Sequence, residues 1–265
     1  MFNATHFTYD GVFSGIYGLL IADFDDNAVV ETAAFSPSLN TNKPTLLKRF
    51  FHNGIIYDDV PQHQFSIISQ NPIGDVLRRE IISWLVGRDS FKILKIHQSD
   101  LEQYTYKCVF TDLEIIYVRG ACHGFRLTAN FDSPYQRGEP TKVKVVGTGV
   151  AQTIKIHNKS DVKDDYIYPQ ITFRATSAMS DGYDISILNN TDDTARYFRF
   201  SGLYANETVT VDNELRHIES DRAGEKLSNF VDKNWLRLRP GINTLTIAIN
   251  GTVTITCPTY AMMGF

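Results

Sequence analysis

The sequence predicts a mainly β protein of two domains carrying a single α-helix. Three observations lead there. Short stretches of alternating apolar and polar residues recur along the chain, separated by turn pairs such as Asp10-Gly11, Asp181-Gly182 and Asn250-Gly251. Asn71–Ile96 breaks this habit with apolar residues at helical spacing. At Phe131–Thr141 two prolines, a glycine and mixed charges interrupt any apolar period, dividing the chain into residues 1–136 and 137–265. With 265 residues, 43% hydrophobic and 21% charged, there is ample material for a soluble core in each half.

In the front half, Phe7-Thr8-Tyr9, the turn Asp10-Gly11 and a strand within Gly18–Phe24 make a strand–turn–strand opening. Asp25-Asp26-Asn27 reads as a polar turn before a strand at Val29–Ala34; it lacks the further acid or histidine that a metal loop needs. Ser36–Pro61 is irregular around a short strand in FFHNGII, long for a connection inside a compact domain, so it is expected to be either disordered or an arm reaching out to something. Gln64–Ser69 is a strand feeding the helix. Asn71 is placed to cap that helix and Pro72 to open it; Ile73, Leu77, Ile81, Trp84 and Leu85 share one face, and Gly87 ends it. A one-sided helix needs a sheet to cover. Strands at Phe91–Ile96, Tyr104–Phe110, Leu113–Arg119 and Gly124–Asn130 supply it, with a tight hairpin expected at Thr111-Asp112. The front half is thus a β-sandwich-like domain with one helix and an extended hairpin or arm.

The rear half is all β. Strands are expected at Val143–Thr148, Gln152–His157, Gln170–Ala175, Asp184–Leu188, Arg196–Phe200, Glu207–Asp212, Leu236–Leu238, Thr244–Ile249 and Thr252–Thr256. Turns fall at Gly147/Gly149, Asn158–Asp161, Asp181-Gly182, Asn189–Asp193, Pro240–Asn243 and Asn250-Gly251. Short strands at near-regular spacing describe a sandwich or jelly roll.

The residues offer little chemistry. No nucleophile elbow, phosphate-binding glycine loop, zinc-binding HExxH or dinucleotide fingerprint occurs, so no catalytic, cofactor-binding or metal residues are assigned. His6, His52, His63, His97, His123, His157 and His217 are dispersed and take structural or surface roles. Cys108, Cys122 and Cys257 are odd in number and far apart, which suits free thiols in a reducing cytosol. No apolar run spans a membrane and no secretory signal opens the chain. The five N-x-S/T sequons at Asn3, Asn158, Asn189, Asn206 and Asn250 are then chance matches. The net charge of −4 lies wholly in the front half, with 11 basic against 15 acidic residues; the rear half has 15 of each. A nucleic-acid binder would show the opposite bias.

Several stretches together resemble the distal tail proteins of siphovirus-type bacteriophages. They are FTYDGVFSGIYGLLI and RREIISWLVGRDSFKILKI in front, then IKIHNKSDVKDDYIYPQITF, VTVDNELRHIE, WLRLRPGINTLTI and NGTVTITCPTY. The resemblance covers most of the chain and rests on the order and spacing of these elements. Pro240-Gly241 with Asn243, and Asp212-Asn213, act in it as residues that hold turns and mark no ligand site. The resemblance implies a front domain that forms a ring, usually a homohexamer, and a galectin-like rear sandwich facing outward. It further implies a tail hub between the major tail tube protein and the tail-tip (tail-associated) protein, with tape measure and receptor-binding proteins as further neighbours. DNA would pass through the lumen without specific binding, and an acidic front half suits that passage. The expected place is the virion tail tip, after assembly in the bacterial cytoplasm, and no catalysis is implied. A second reading is a carbohydrate-binding adhesion module, since such sandwiches stack Trp or Tyr on sugars; Trp235, Tyr166, Tyr168, Tyr183, Tyr197, Tyr204 and Tyr260 are its candidates, though such residues more commonly pack cores. A third, a wall hydrolase, lacks any recognisable constellation.

Overall fold

A computed structural model describes residues 5–22, 38–42, 51–56, 61–162, 165–224 and 226–263. The chain folds into two compact units, Met1–Arg137 with Met262–Phe265, and Gly138–Ala261.

In the first unit the strands are β1 (Phe7–Tyr9), β2 (Val12–Phe13), β3 (Leu19–Ile21), β4 (Ser38–Asn42), β5 (Phe51–Ile56), β6 (Gln62–Ser69), β7 (Lys92–Ile96), β8 (Tyr106–Val118) and β9 (Ala121–Phe131). The helix α1 (Asp75–Val86) lies between β6 and β7. Seven strands form one antiparallel sheet in the order β2-β1-β7-β8-β9-β6-β3. Reciprocal backbone bonds between Thr5 and Ile21, of 3.0 and 2.8 Å, then join the start of β1 to β3. The sheet therefore closes around its core, enclosing it as the two layers of a sandwich would. β4 and β5 pair with each other as a separate two-stranded sheet, so the irregular Ser36–Pro61 contains a hairpin. Asp25-Asp26-Asn27 and Val29–Ala34 lie outside the described residues.

The helix starts later than its sequence suggests. Asn71 and Pro72 stand outside it, and the N-cap is Gly74, with no side-chain cap. Ile73 explains the delay: its side chain is buried and its N–H donates to the Cys122 carbonyl at 2.8 Å, so the chain is tied to the sheet before the first turn. Ile81, Trp84 and Leu85 are buried at i, i+3 and i+4, while Leu77, expected on the same face, is exposed. Gly87 ends the helix at φ −74°, not in the left-handed conformation; a Cβ there would sit 2.6 Å from the Ser83 carbonyl oxygen.

The expected hairpin at Thr111-Asp112 is not there. β8 runs straight through, and the extra residues form a bulge with Asp112 at φ 50°. The turn falls instead at Arg119-Gly120, with φ of 51° and 84°, a primed turn whose twist matches its strands. The result is one long β8–β9 hairpin.

In the second unit the strands are β10 (Tyr135–Thr148), which begins in the first, then β11 (Gln152–Asn158), β12 (Gln170–Ser177), β13 (Ile185–Asn189), β14 (Tyr197–Phe200), β15 (Thr208–Asp212), β16 (His217–Ser220) and β17 (Gly241–Met262). The Phe131–Thr141 stretch, expected as an irregular linker, is thus largely strand. Leu236–Leu238 contributes one bridge, Ile167 to Leu238, and β16 was not foreseen.

β17 is the element that makes two sheets one body. Asn250-Gly251, expected as a turn between two strands, is a bend within it. Before the bend β17 pairs with β11 and β13, with β14 beyond; after it β17 pairs with β12, with β15 and β16 beyond. Gly251 sits at φ 148°, and a Cβ would lie 2.1 Å from the Arg174 carbonyl oxygen. Ala at this position meets both backbone strain and a backbone clash. Gly251→Ala is expected to cost about 3 kcal/mol or more in denaturant unfolding; a loss below about 1 kcal/mol would mean the bend is not rigid. Between the sheets lies a core that includes Ile171, Phe173, Ile187, Phe198, Phe200 and Phe230.

Candidate assembly and recognition surfaces

The first unit presents an apolar face at the start of α1. Val76 is 82% exposed there and Ile16, in the 3₁₀ turn before β3, is 73% exposed. Between these elements runs a groove of about 400 Å³ whose walls include Tyr17, Leu20, Ile73 and Leu77. The Tyr17 hydroxyl donates to Glu80 at 3.2 Å, and its ring lies 5.2 Å from that of Trp84. Arg78 binds Asp75 at 2.8 Å and reaches the Tyr117 hydroxyl at 3.4 Å, which brings the β8–β9 hairpin tip alongside. Tyr117 and Val118 at that tip are also exposed. Large exposed apolar side chains beside such a groove are candidates for an interaction surface.

In the second unit the motif residues that carried the resemblance converge. The segment Leu236–Arg239 has only its bridge to Ile167, so its backbone polar groups need other partners. Four buried asparagines provide them. Asn213 accepts from Leu236 N at 2.8 Å and donates to the Pro169 carbonyl. Asn189 donates to the Arg237 carbonyl at 2.9 Å and to Asn243 Oδ1 at 3.0 Å. Asn243 accepts from Arg239 N at 2.9 Å and donates to the Arg239 carbonyl at 2.7 Å; Asn158 donates to that same carbonyl at 3.1 Å. Asp212 holds its own turn, accepting from Glu214 N and Leu215 N. The local role expected of Asn243 is present, while Asn213 works across 44 and 23 residues of sequence. The sequons at Asn158 and Asn189 are spoken for by these bonds.

Two buried carboxylates anchor the surroundings. Burial opposes ionisation of Asp192, but Arg237, Tyr166 and Arg239 hold its carboxyl below the usual range; Arg237 Nε lies 2.7 Å away. Burial likewise opposes Glu207, and Lys226 at 2.8 Å, Ser220 and the Tyr204 N–H hold it down. Asp184 goes the other way: burial, with Glu207 nearby, pushes it up against its bond from Leu203 N. A lowered folded pKa contributes stability above the ordinary value and loses it as pH falls; a raised one does the reverse. Two groups therefore weaken the second unit on acidification and one offsets them. Its denaturation midpoint should fall as pH drops below about 4.5. Asp192→Asn should make that fall shallower, and an unchanged slope would remove Asp192 from the account.

Among the described residues no three histidines gather: His6 meets Ser14 and Leu19, His97 meets Thr8 and Glu102, and these two flank Phe13, while His123 meets the Ser69 carbonyl and His217 meets Glu219. No group of three or more metal-ligating side chains occurs among the described residues. Cys108, Cys122 and Cys257 are buried free thiols, and burial pushes the Cys257 thiol up to about 11. No helix among the described residues is long and apolar enough to cross a membrane.

Comparison with known proteins adds the family. The pattern described as "Phage tail protein N-terminal domain" matches residues 2–133, and that described as "Phage tail C-terminal domain" matches residues 138–257. The chain belongs to this family of phage tail proteins. Among solved structures, the tail protein resembles the Dit protein of phage SPP1, titled "a Paradigm of Hub Adsorption Apparatus in Gram-positive Infecting Phages". It is 15% identical to it, with a TM-score of 0.70 over 97% of this chain and 99% of that one. It also resembles a chain of the phage P2 baseplate in its activated conformation with Ca, at 8% identity and TM-score 0.53, covering 97% and 98%. Among curated proteins no sequence matches it. The tail protein therefore has the two-part fold of Dit.

Proposed function

We propose that this tail protein is a ring-forming hub at the distal end of the tail, connecting the tail tube to the tail-tip and adsorption apparatus. The observation that carries this is the full-length likeness, both units in one alignment, to a protein whose structure is titled as a hub. In this reading residues 1–136 form the ring, a homohexamer, and residues 137–265 form a galectin-like sandwich facing outward. The ring closes by head-to-tail contact, the exposed face at Ile16, Val76, Leu77 and Tyr117 meeting a different surface on the next copy. The β8–β9 hairpin and the β4–β5 hairpin are the reaching elements. Tube and tip proteins stack on the two sides, tape measure and receptor-binding proteins are further neighbours, and DNA passes without specific contact. The work is mechanical, with no catalysis, and is done at the virion tail tip after assembly in the host cytoplasm.

Light scattering and negative-stain imaging of the purified protein, alone and with its tube and tip partners, test this. Closed rings are expected, and Val76→Glu with Tyr117→Glu should leave folded monomers. A wild-type protein that stays monomeric even with both partners would overturn the proposal.

A further inference from the structure

On the second unit a cleft of about 230 Å³ opens where β12 begins and β15 ends. Its floor is set by register. Gln170 pairs with Asp212 on one side and with Thr256 on the other, so three polar side chains stand in a row across three strands. The next row outward, Thr210–Thr172–Thr254, continues the same face, with a hydroxyl contact of 3.2 Å between Thr172 and Thr210. Tyr168 and Tyr260 line the cleft with Pro140 and Pro258, and Glu214 adds a second carboxylate. Two of these groups are held in place. Asp212 Oδ1 takes the N–H groups of Glu214 and Leu215, and Glu214 Oε2 accepts from the Tyr260 hydroxyl at 3.3 Å.

Two aromatic walls, two positioned carboxylates, an amide and a hydroxyl are the parts that recognise a sugar ring. Tyrosine faces cover the C–H side of a pyranose, while carboxylate oxygens accept from its hydroxyls. Charge narrows the class. The cleft carries two carboxylates, and no cation lines it among the described residues. A phosphorylated or uronic sugar would bring like charge against Asp212 and Glu214, which costs binding. The volume is below the 300–1,000 Å³ usual for drug-sized ligands, so about one ring fits.

We propose that this cleft is a subsite for a neutral pyranosyl residue of a surface polysaccharide, held between Tyr168 and Tyr260 with Asp212, Glu214 and Gln170 reading its hydroxyls. Asp212, expected from its motif to hold a turn and mark no ligand site, does both in this assignment: it holds the turn and reads the ligand. One subsite of this size binds weakly, and repeated copies on an assembled particle would raise the avidity. The cleft belongs to one unit of one chain, so its test is independent of ring closure.

The test is saturation-transfer NMR and calorimetry on the full-length protein. The probes are methyl glycosides of glucose, galactose, rhamnose and N-acetylglucosamine, with glucose 1-phosphate and methyl glucuronide as anionic counterparts. At least one neutral glycoside should bind in the millimolar range, and the anionic probes should bind about tenfold more weakly or not at all. Tyr168→Ala and Gln170→Ala should each weaken the neutral ligand about tenfold. Glu214→Gln should narrow the gap between neutral and anionic probes. Circular dichroism of each variant separates lost binding from lost fold. Silence toward every neutral glycoside, binding that survives both Tyr168→Ala and Gln170→Ala in folded protein, or equal binding of the anionic probes would each overturn the assignment.

Discussion

Asn243→Ala should unfold the second unit at distinctly lower denaturant than wild type. The side chain is fully buried and makes four bonds, two accepted and two donated. Alanine leaves Arg239 N–H and one of the two Asn189 amide N–H groups without an acceptor; the other still donates to the Arg237 carbonyl. Each orphaned donor costs about 1–3 kcal/mol, so a total near 4 kcal/mol is expected. The Arg239 carbonyl suffers less, because Asn158 still reaches it. Hydrogen exchange read by mass spectrometry should show lost protection centred on Leu236–Asn243, with the first unit unaffected. Ile242→Ser, one residue away and exposed, should stay within about 0.5 kcal/mol of wild type. If Asn243→Ala matched that control, the asparagine clasp would be incidental to stability.

Why the sequence betrayed some of this and hid the rest follows from range. Turns whose chemistry is local were legible: Asp10-Gly11 with two positive φ values, Asp181 bonding Tyr183 N, and the Asn243 loop all act within four residues. Strands with clean alternation were legible too, as at Asp184–Leu188 and Glu207–Asp212. Asn250-Gly251 misled because the pair that makes a hairpin turn also permits a bend, and only the neighbouring Arg174 carbonyl decides between them. Thr111-Asp112 misled for a like reason: a residue tolerant of positive φ can serve a bulge as well as a turn. Helix α1 was clear in its buried face but not in its start, because the tether of Ile73 to Cys122 spans 49 residues of sequence and no local signal encodes it.

The recognition surfaces were less visible still. Tyr168 and Tyr260 were two among several aromatic candidates, and nothing local sets them apart. Tyr183 and Tyr197 pack on Arg199, Tyr166 on Arg237, Tyr204 on Lys226 and Trp235 on Phe230, which removes these five from any common site. Register alone brings Asp212, Gln170 and Thr256 into one row beside the remaining pair. The exposed apolar face on the first unit was hidden by the opposite error. Leu77 fits the helical stripe by spacing, yet the helix axis carries it into the groove and away from the core.

Trp84→Ala carries the other large expected effect, and it couples stability to assembly. Trp84 is buried, stacks on Phe7 at 5.7 Å, and packs on Tyr9 and Tyr17. Its indole N–H donates to the Tyr9 carbonyl at 3.0 Å, which pins the helix to β1. Truncation removes all of this and leaves a cavity that the closed sheet cannot collapse to fill, for about 3–5 kcal/mol. Trp84→Phe keeps ring packing and forfeits the hydrogen bond, for about 1–2 kcal/mol. The helix also presents Val76 and Leu77, so loosening its anchor loosens the proposed ring contact. Trp84→Ala should therefore lose both stability and self-association, as read by denaturant titration and light scattering at one protein concentration. Leu77→Ser, at the exposed end of the same helix, should lose association while the unfolding midpoint stays near wild type. If Leu77→Ser left association intact while Trp84→Ala abolished it, the assembly contact would lie on another surface that merely depends on the fold.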